Sequence, residues 1–265
     1  MKRVEPQVYC IAETKINKGS LGRWLVDNDW EECLQHITGS DAEKTAEFMG
    51  RRCYASFKVG GEHSNPNLTK KREDSNEYHE NVLKHQHGSV LRGGNSLWAF
   101  ENVSRVFTHE VVRNSAGNCF AQESLRFVRL DNINYWVPPE IEDNKEAFEI
   151  FESTMAYLEQ QQLKLAKIYD IDNIKDFDTK KKLTSAFRRI APIGLSTGII
   201  IGFNMQSLRW IIEQRTTRHA EVEIRLVFNK VAEIAVEKWP MVFQDFEKID
   251  TEDGLFEWVP KYRKV

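Results

Sequence analysis

The sequence predicts one α+β domain over residues 1–265. Three observations point there. Segments with helical apolar spacing recur along the chain, the longest at Asn144–Tyr169. Short apolar runs of β-forming residues stand apart from them, at Val8–Ala12, Asn95–Phe100 and Ile199–Phe203. No repeat or low-complexity linker divides the chain.

Taken in order, Val8–Ala12 reads as a strand. Gly22–Cys33 carries two tryptophans and reads as helical. Asp41–Arg52 reads as a helix behind an Asp cap, with Ala42, Ala46 and Met49 on one side. Lys58–Arg72 holds Gly60-Gly61, Asn65-Pro66 and a basic cluster, so it reads as a loop. Asp74 and Glu77 have capping-box spacing ahead of a helix at Asn76–Gln86. Asn95–Phe100 alternates as a strand and leads into a short helix, Asn102–Arg113, with Val103, Val106, Phe107 and Val111 on one face. Asn114–Gly117 breaks that pattern and opens a polar loop. Ile133–Pro139 is aromatic, Pro-rich and extended. In Asn144–Tyr169 the residues Phe148, Phe151, Met155, Leu158, Leu165 and Tyr169 keep largely helical spacing. Leu183–Arg189 is a short helix stopped at Pro192. Ile199–Phe203 reads as a buried strand, and Met205–Arg215 as helix. Thr217 is placed to cap the next helix, where Ala220, Ile224, Val227, Phe228, Val231, Ile234 and Ala235 form one stripe. The tail from Asp245 is polar, with an apolar patch at Leu255–Val259.

A chain of 265 residues with 41% apolar and 29% charged residues has the make-up of a soluble globular protein. Its formal net charge of −3 provides no overall positive field to recruit nucleic acid. No apolar run approaches the roughly 18 residues of a membrane span, and MKRVEPQVYC lacks the apolar core of a signal peptide. The four cysteines form no CxxC pair. They fit free thiols in a reducing compartment, so the cytoplasm is expected.

Polar chemistry is concentrated in two stretches. In RVFTHEVVRNSAGNCFAQESLRFVRL, Gln122, Glu123, Ser124, Arg126 and Arg129 crowd hydrogen-bonding groups into a short span suited to an anion or a nucleotide. In NMQSLRWIIEQRTTRHAEVEIR, Arg209, Arg215, Arg218 and Arg225 lie near one helical corner. Arg215 falls at a helix end, where the dipole favours a cation, and His219 at the expected start of the next helix. Helix-end charge complementarity accounts equally well for that arginine cluster. His79, His85 and His87 lack the spaced Cys or acidic partners of a zinc site, so no metal is expected. No GxGxxG, GxSxG or Walker loop is present. Cys119 reads as a small buried filler in preference to a nucleophile.

Five ordered segments carry a resemblance: EFMGRRCYASF…NPNLTKKREDSNEYHENVL, HGSVL, FTHEVVRNSAGNCFAQESLRF, RRIAP and NMQSLRWIIEQRTTRHAEVEIR. Through them the chain resembles the flavin-dependent thymidylate synthases from about Ala42 to Phe246. The resemblance implies an α+β domain with helices around a small mixed sheet, assembled as a homotetramer with shared sites. It implies methylation of dUMP to dTMP, the one-carbon unit coming from 5,10-methylenetetrahydrofolate and the hydride from NADPH through bound FAD. Arg215 would face the uracil ring as the catalytic residue. Glu110, Arg113, Gln122, Glu123, Ser124, Arg126 and Arg188 would complete the dUMP site, with Ser124 and Arg126 on the phosphate. His87, Ser89, Arg113, Asn114, Ser115, Asn204, Gln206 and His219 would contact FAD.

The chain departs from the family pattern at several places. Arg113-Asn114-Ser115 replaces Arg-His-Arg, and Arg92-Gly93 replaces a Glu-His pair. Gln206 stands for Arg, Glu110 for a common Gln, and the polar loop is one residue longer. These changes predict weaker charge for the FAD pyrophosphate. They leave two alternatives open: action on another pyrimidine nucleotide by methylation or hydroxymethylation, or a non-catalytic nucleotide-binding homologue.

Overall fold

Strand register decides where the helices of this protein lie. The computed structural model describes residues 1–125 and 132–263. In chain order these form β1 (Lys2–Arg3), β2 (Gln7–Glu13), α1 (Lys18–Val26), α2 (Asp41–Cys53), α3 (Ser75–Lys84), β3 (Asn95–Ser104) and α4 (Arg105–Val111). There follow β4 (Cys119–Gln122), β5 (Asn134–Tyr135), α5 (Pro139–Glu142), α6 (Lys145–Ile168), α7 (Phe177–Phe187), β6 (Ser196–Asn204) and α8 (Met205–Arg215). The chain closes with α9 (Val222–Lys238), α10 (Pro240–Phe243), β7 (Phe246–Asp250) and β8 (Phe256–Pro260). Single 3-10 turns occupy Glu31–Gln35, Gly88–Gly93 and Arg188–Ile190.

The main sheet has the order β2-β3-β6-β4 and every pairing in it is antiparallel. The expected mixed sheet is therefore not what forms. Among the described residues, parallel pairing joins only the short β1 and β5. β6 comes back beside β3 from the opposite end, with Asn95 opposite Asn204 and Ser104 opposite Ser196. Alternate residues Trp98, Phe100, Ile199, Ile201 and Phe203 are buried against Leu208, Ile211 and Ile212 of α8 and Ile224, Val227, Phe228 and Val231 of α9. Each such side chain contributes about 1.5–3 kcal/mol by leaving water. The residues between them face the other way, and Tyr9, Ile11 and Ile200 are exposed.

Several boundaries differ from the sequence reading for local reasons. Ser40, not Asp41, caps α2, because Ser40 and Glu43 close a capping box. Gly22–Cys33 is not one helix: Asp29 takes φ +58° after α1 and the chain restarts as a 3-10 turn. β3 runs on through a register shift to Ser104, with Asn102 at φ +60°, so α4 starts three residues later than Asn102. α7 begins at Phe177 because Asp176 accepts from Thr179 N at 2.8 Å. Glu221, not Thr217, caps α9, accepting from Ile224 N at 3.1 Å. His219 consequently lies exposed in the turn before α9, not on that helix. Cys119–Gln122, read as loop, is an edge strand, and Cys119 is exposed instead of buried. The polar tail is the β7–β8 hairpin, with Trp258 and Pro260 buried and Lys248 Nζ 3.7 Å from the Phe256 ring centre. Among the described residues, no helix is long and apolar enough to cross a membrane.

Candidate active site

Two strands pass directly into helices, and those junctions build the site. Ser104 ends β3 and caps α4, its Oγ accepting from Phe107 N at 3.1 Å. Glu223 of α9, 1% exposed, secures that junction from below. It accepts from Ser104 N at 2.6 Å and from the Ser104 hydroxyl. Burial pushes the Glu223 carboxyl up to about 7, against the Ser104 hydrogen bonds and with Glu221 adding to the rise. Asn204 ends β6 and caps α8, its Oδ1 accepting from Ser207 N at 2.9 Å. Its Nδ2 donates to Gly117 O at 3.3 Å.

Arg215 ends α8 and reaches the C-terminal side of α4. Its Nε and Nη2 donate to Asn114 Oδ1 at 2.8 and 2.6 Å, Nη2 to Glu110 O at 2.7 Å, and Nη1 to Glu110 Oε2 at 3.0 Å. These use four of the five N–H groups of a guanidinium. Arg113 lies on the other side of the same carboxylate, Nη1 3.6 Å from Glu110 Oε1. Glu110 thus joins Arg113 and Arg215. Asn114, expected beside the cofactor, is 5% exposed and spends its oxygen on Arg215.

Arg188 occupies a cationic cavity of about 320 Å³ with Arg105, His109, Arg189 and Leu125. Arg105 Nη2 donates to Glu123 O at 2.8 Å. Burial lowers the Arg105 pKa and the charge of Arg188 works in the same direction. Sequence reasoning missed Arg105, His109 and Arg189; the signal was there, since Arg105 and His109 are four residues apart on α4. Gln122 and Glu123 diverge at the end of β4. Gln122 Nε2 donates to Thr108 Oγ1 at 2.9 Å, while Glu123 Oε2 accepts from Thr197 Oγ1 at 3.3 Å. Ser124 is half-buried, and Arg126 lies outside the described residues.

A second cavity, about 350 Å³, opens at the start of α8. Arg92, Ala116, Gly117, Asn204, Gln206, Ser207 and Trp210 line it. Arg92 Nε donates to Gln206 Oε1 at 2.6 Å. Gly117 has φ +75°, and a Cβ there would come within 2.6 Å of Asn204 Nδ2, so both backbone and space require glycine. A guanidinium, side-chain amides and a close-approaching backbone suit the diphosphate portion of a dinucleotide such as FAD. Ser115 and Ser89 are exposed nearby in sequence, and Ser89 shares the 3-10 turn of Arg92. His87 precedes that turn, its Nδ1 3.2 Å from the Tyr54 hydroxyl and its ring stacked on His85. His219 is not part of either cavity lining.

With this geometry in view, comparison with known proteins is specific. Residues 33–241 match the family model described as thymidylate synthase complementing protein. A flavin-dependent thymidylate synthase of Corynebacterium diphtheriae is 32% identical over 236 residues, covering 87% of this chain and 86% of its own. One from Mycolicibacterium vanbaalenii is 28% identical over 260 residues, 96% of this chain and 95% of its own. The fold is similar to the crystal structure of a UMP/dUMP methylase, PolB from Streptomyces cacaoi, bound with 5-Br dUMP. That similarity has a TM-score of 0.63 at 12% identity and covers 91% of this chain and 95% of the other. A family match over most of the length, with arginines far apart in sequence converging on one carboxylate, places this chain in the flavin-dependent thymidylate synthase family.

Proposed function

We propose that the protein methylates C5 of dUMP to give dTMP, using FAD, NADPH and 5,10-methylenetetrahydrofolate, in the cytoplasm and as a homotetramer. The observation that carries this reading is the meeting of Arg113 and Arg215 at Glu110 of α4, the helix whose Arg105 and His109 line the cationic cavity. Arg215 holds a fixed plane because Asn114 Oδ1 and Glu110 O accept from it. Its remaining Nη1 N–H is the donor assigned to a uracil carbonyl oxygen. Such a donor stabilises negative charge on the ring and makes C5 more electron-rich. Arg188, with Arg105, Arg189 and His109, offers a phosphate its countercharge. Ser124 and Arg126 are assigned to the same phosphate, and Gln122 and Glu123 to the nucleotide.

FAD, when bound, supplies the hydride transfer. The residues assigned to hold it are His87, Ser89, Arg113, Asn114, Ser115, Asn204, Gln206 and His219. Full-length protein supplied with FAD, NADPH and methylenetetrahydrofolate should release tritium from [5-³H]dUMP. Flavin-loaded protein that releases none overturns this function.

A second reading keeps the fold and changes the nucleotide. It is favoured by Asn114, whose amide oxygen serves Arg215, and by the uncharged Ser115 that follows. Competition among dUMP, UMP and dCMP for the protein decides between the two. Preference for UMP or dCMP selects the second.

A further inference from the structure

We infer that Arg92 is a cofactor-binding residue whose guanidinium supplies the cation for the diphosphate of the bound dinucleotide. The inference rests on the FAD reading above and adds a residue that reading does not use.

By sequence, the cofactor side had lost charge, because Gln206 stands where an arginine is usual. The structure puts Arg92 directly against that glutamine, Nε to Oε1 at 2.6 Å. The positive charge therefore stands on the facing wall of the same cavity. Every other lining residue there is neutral: Ala116, Gly117, Asn204, Gln206, Ser207 and Trp210. Arg92 is exposed and is in no ion pair among the described residues. The bond to Gln206 uses Nε, which leaves the two Nη groups to address a ligand. A guanidinium with free Nη donors on an otherwise neutral polar wall selects an anion with paired oxygens, such as a diphosphate.

The backbone holds this arrangement in place. A Cβ on Gly93 would lie 2.2 Å from Met49 Sδ, and one on Gly94 would lie 2.9 Å from Met205 Cγ and 3.1 Å from Ala42 O. The two glycines let the 3-10 turn press against both α2 and α8. Gly94 O accepts from Met205 N at 2.9 Å, one residue before Gln206. Arg92 is thus fixed opposite position 206 by close backbone contact.

The test is a titration of flavin-stripped, full-length protein with FAD, followed by flavin fluorescence at low and high salt. The proteins are wild type, Arg92→Gln, Arg92→Lys and the exchange Arg92→Gln/Gln206→Arg. Arg92→Gln should weaken FAD about tenfold to a hundredfold, with a shallower salt dependence. Arg92→Lys, which keeps the charge without the fork, should keep part of the affinity, and the exchange should restore it from the other wall. FAD binding by Arg92→Gln equal to wild type overturns the inference and leaves the flavin reading standing. A loss that neither Lys nor the exchange repairs overturns it as well. A wild type that binds no FAD sinks the flavin reading and this inference together.

Discussion

Asn114 Oδ1 accepts two hydrogen bonds from Arg215, one from Nε at 2.8 Å and one from Nη2 at 2.6 Å. The amide closes a small ring with one edge of the guanidinium and sets its orientation. Asn114 sits in the loop after α4 and Arg215 at the end of α8, so the contact ties together segments separated by the length of the α5–β6 region. A residue expected to face the cofactor also positions the residue expected to face the substrate.

Removing the guanidinium should separate chemistry from cofactor retention. Arg215→Ala is expected to lower tritium release from dUMP by about a hundredfold or more. FAD affinity, read by fluorescence titration, should stay near wild type. Turnover that survives largely intact would remove Arg215 from the role given to it.

Asn114→Ala should act through Arg215. It strips one acceptor from two charge-assisted hydrogen bonds, each of a kind contributing about 1.5–3 kcal/mol. kcat/KM for dUMP is expected to fall about tenfold to a hundredfold. Asn114→Asp retains an acceptor at the same place and should recover part of the loss. Steady-state kinetics of the two variants provides the check, and equal kinetics for Asn114→Ala and wild type would contradict it.

Glu223 gives stability a pH dependence with a definite sign. Its carboxyl lies at about 7 in the folded chain against 4.5 in the ordinary reference, raised chiefly by burial. Between those values the folded state holds the proton that the unfolded state has lost. Stability from this group is therefore complete below about 4.5 and declines as pH rises towards 7. The slope contributed is at most about 1.4 kcal/mol per pH unit. Glu223→Gln should flatten the decline in urea melts taken across that range. Identical slopes for the two proteins would refute the assignment.

Asp245→Ala is expected to destabilise the fold by about 3–5 kcal/mol. Arg209 and Asp245 face each other with side chains 2% and 3% exposed, at 2.7 and 3.1 Å, and Arg209 Nη1 also donates to Val242 O at 2.5 Å. Deleting the carboxylate leaves a buried guanidinium with a single acceptor. Chemical denaturation measures the loss, and a change below 1 kcal/mol, roughly the size seen for exposed pairs, would show the pair to be dispensable.

Helices with strong local signals were legible from the sequence. Met205–Arg215 matches to the residue, and the long helix differs from Asn144–Tyr169 only at its caps. What failed depended on distant partners. Cys119–Gln122 has the composition of a loop and becomes a strand because Ile199–Gly202 offers it a free edge. Val103 fits a helical stripe, yet it pairs with Thr197 of β6. Arg113, Arg188 and Arg215 were identifiable as candidates by family pattern. The ring between Arg215 and Asn114 was not, because no local rule links a helix end to a loop a hundred residues earlier. Arg92 and Gln206 each looked like a lost contact when read singly, and only their adjacency in space shows that they are one change.

The direct passage of β3 into α4 and of β6 into α8 makes the sheet a ruler. Neither Ser104 nor Asn204 is followed by any slack before its helix begins, and the two junctions sit at opposite ends of one antiparallel pair. An inserted or deleted residue in either strand would slip its register, turn its side chains to the opposite face of the sheet, and carry Arg215 away from Asn114. The pocket can therefore be tuned by exchanging side chains while the lengths of both strands stay fixed.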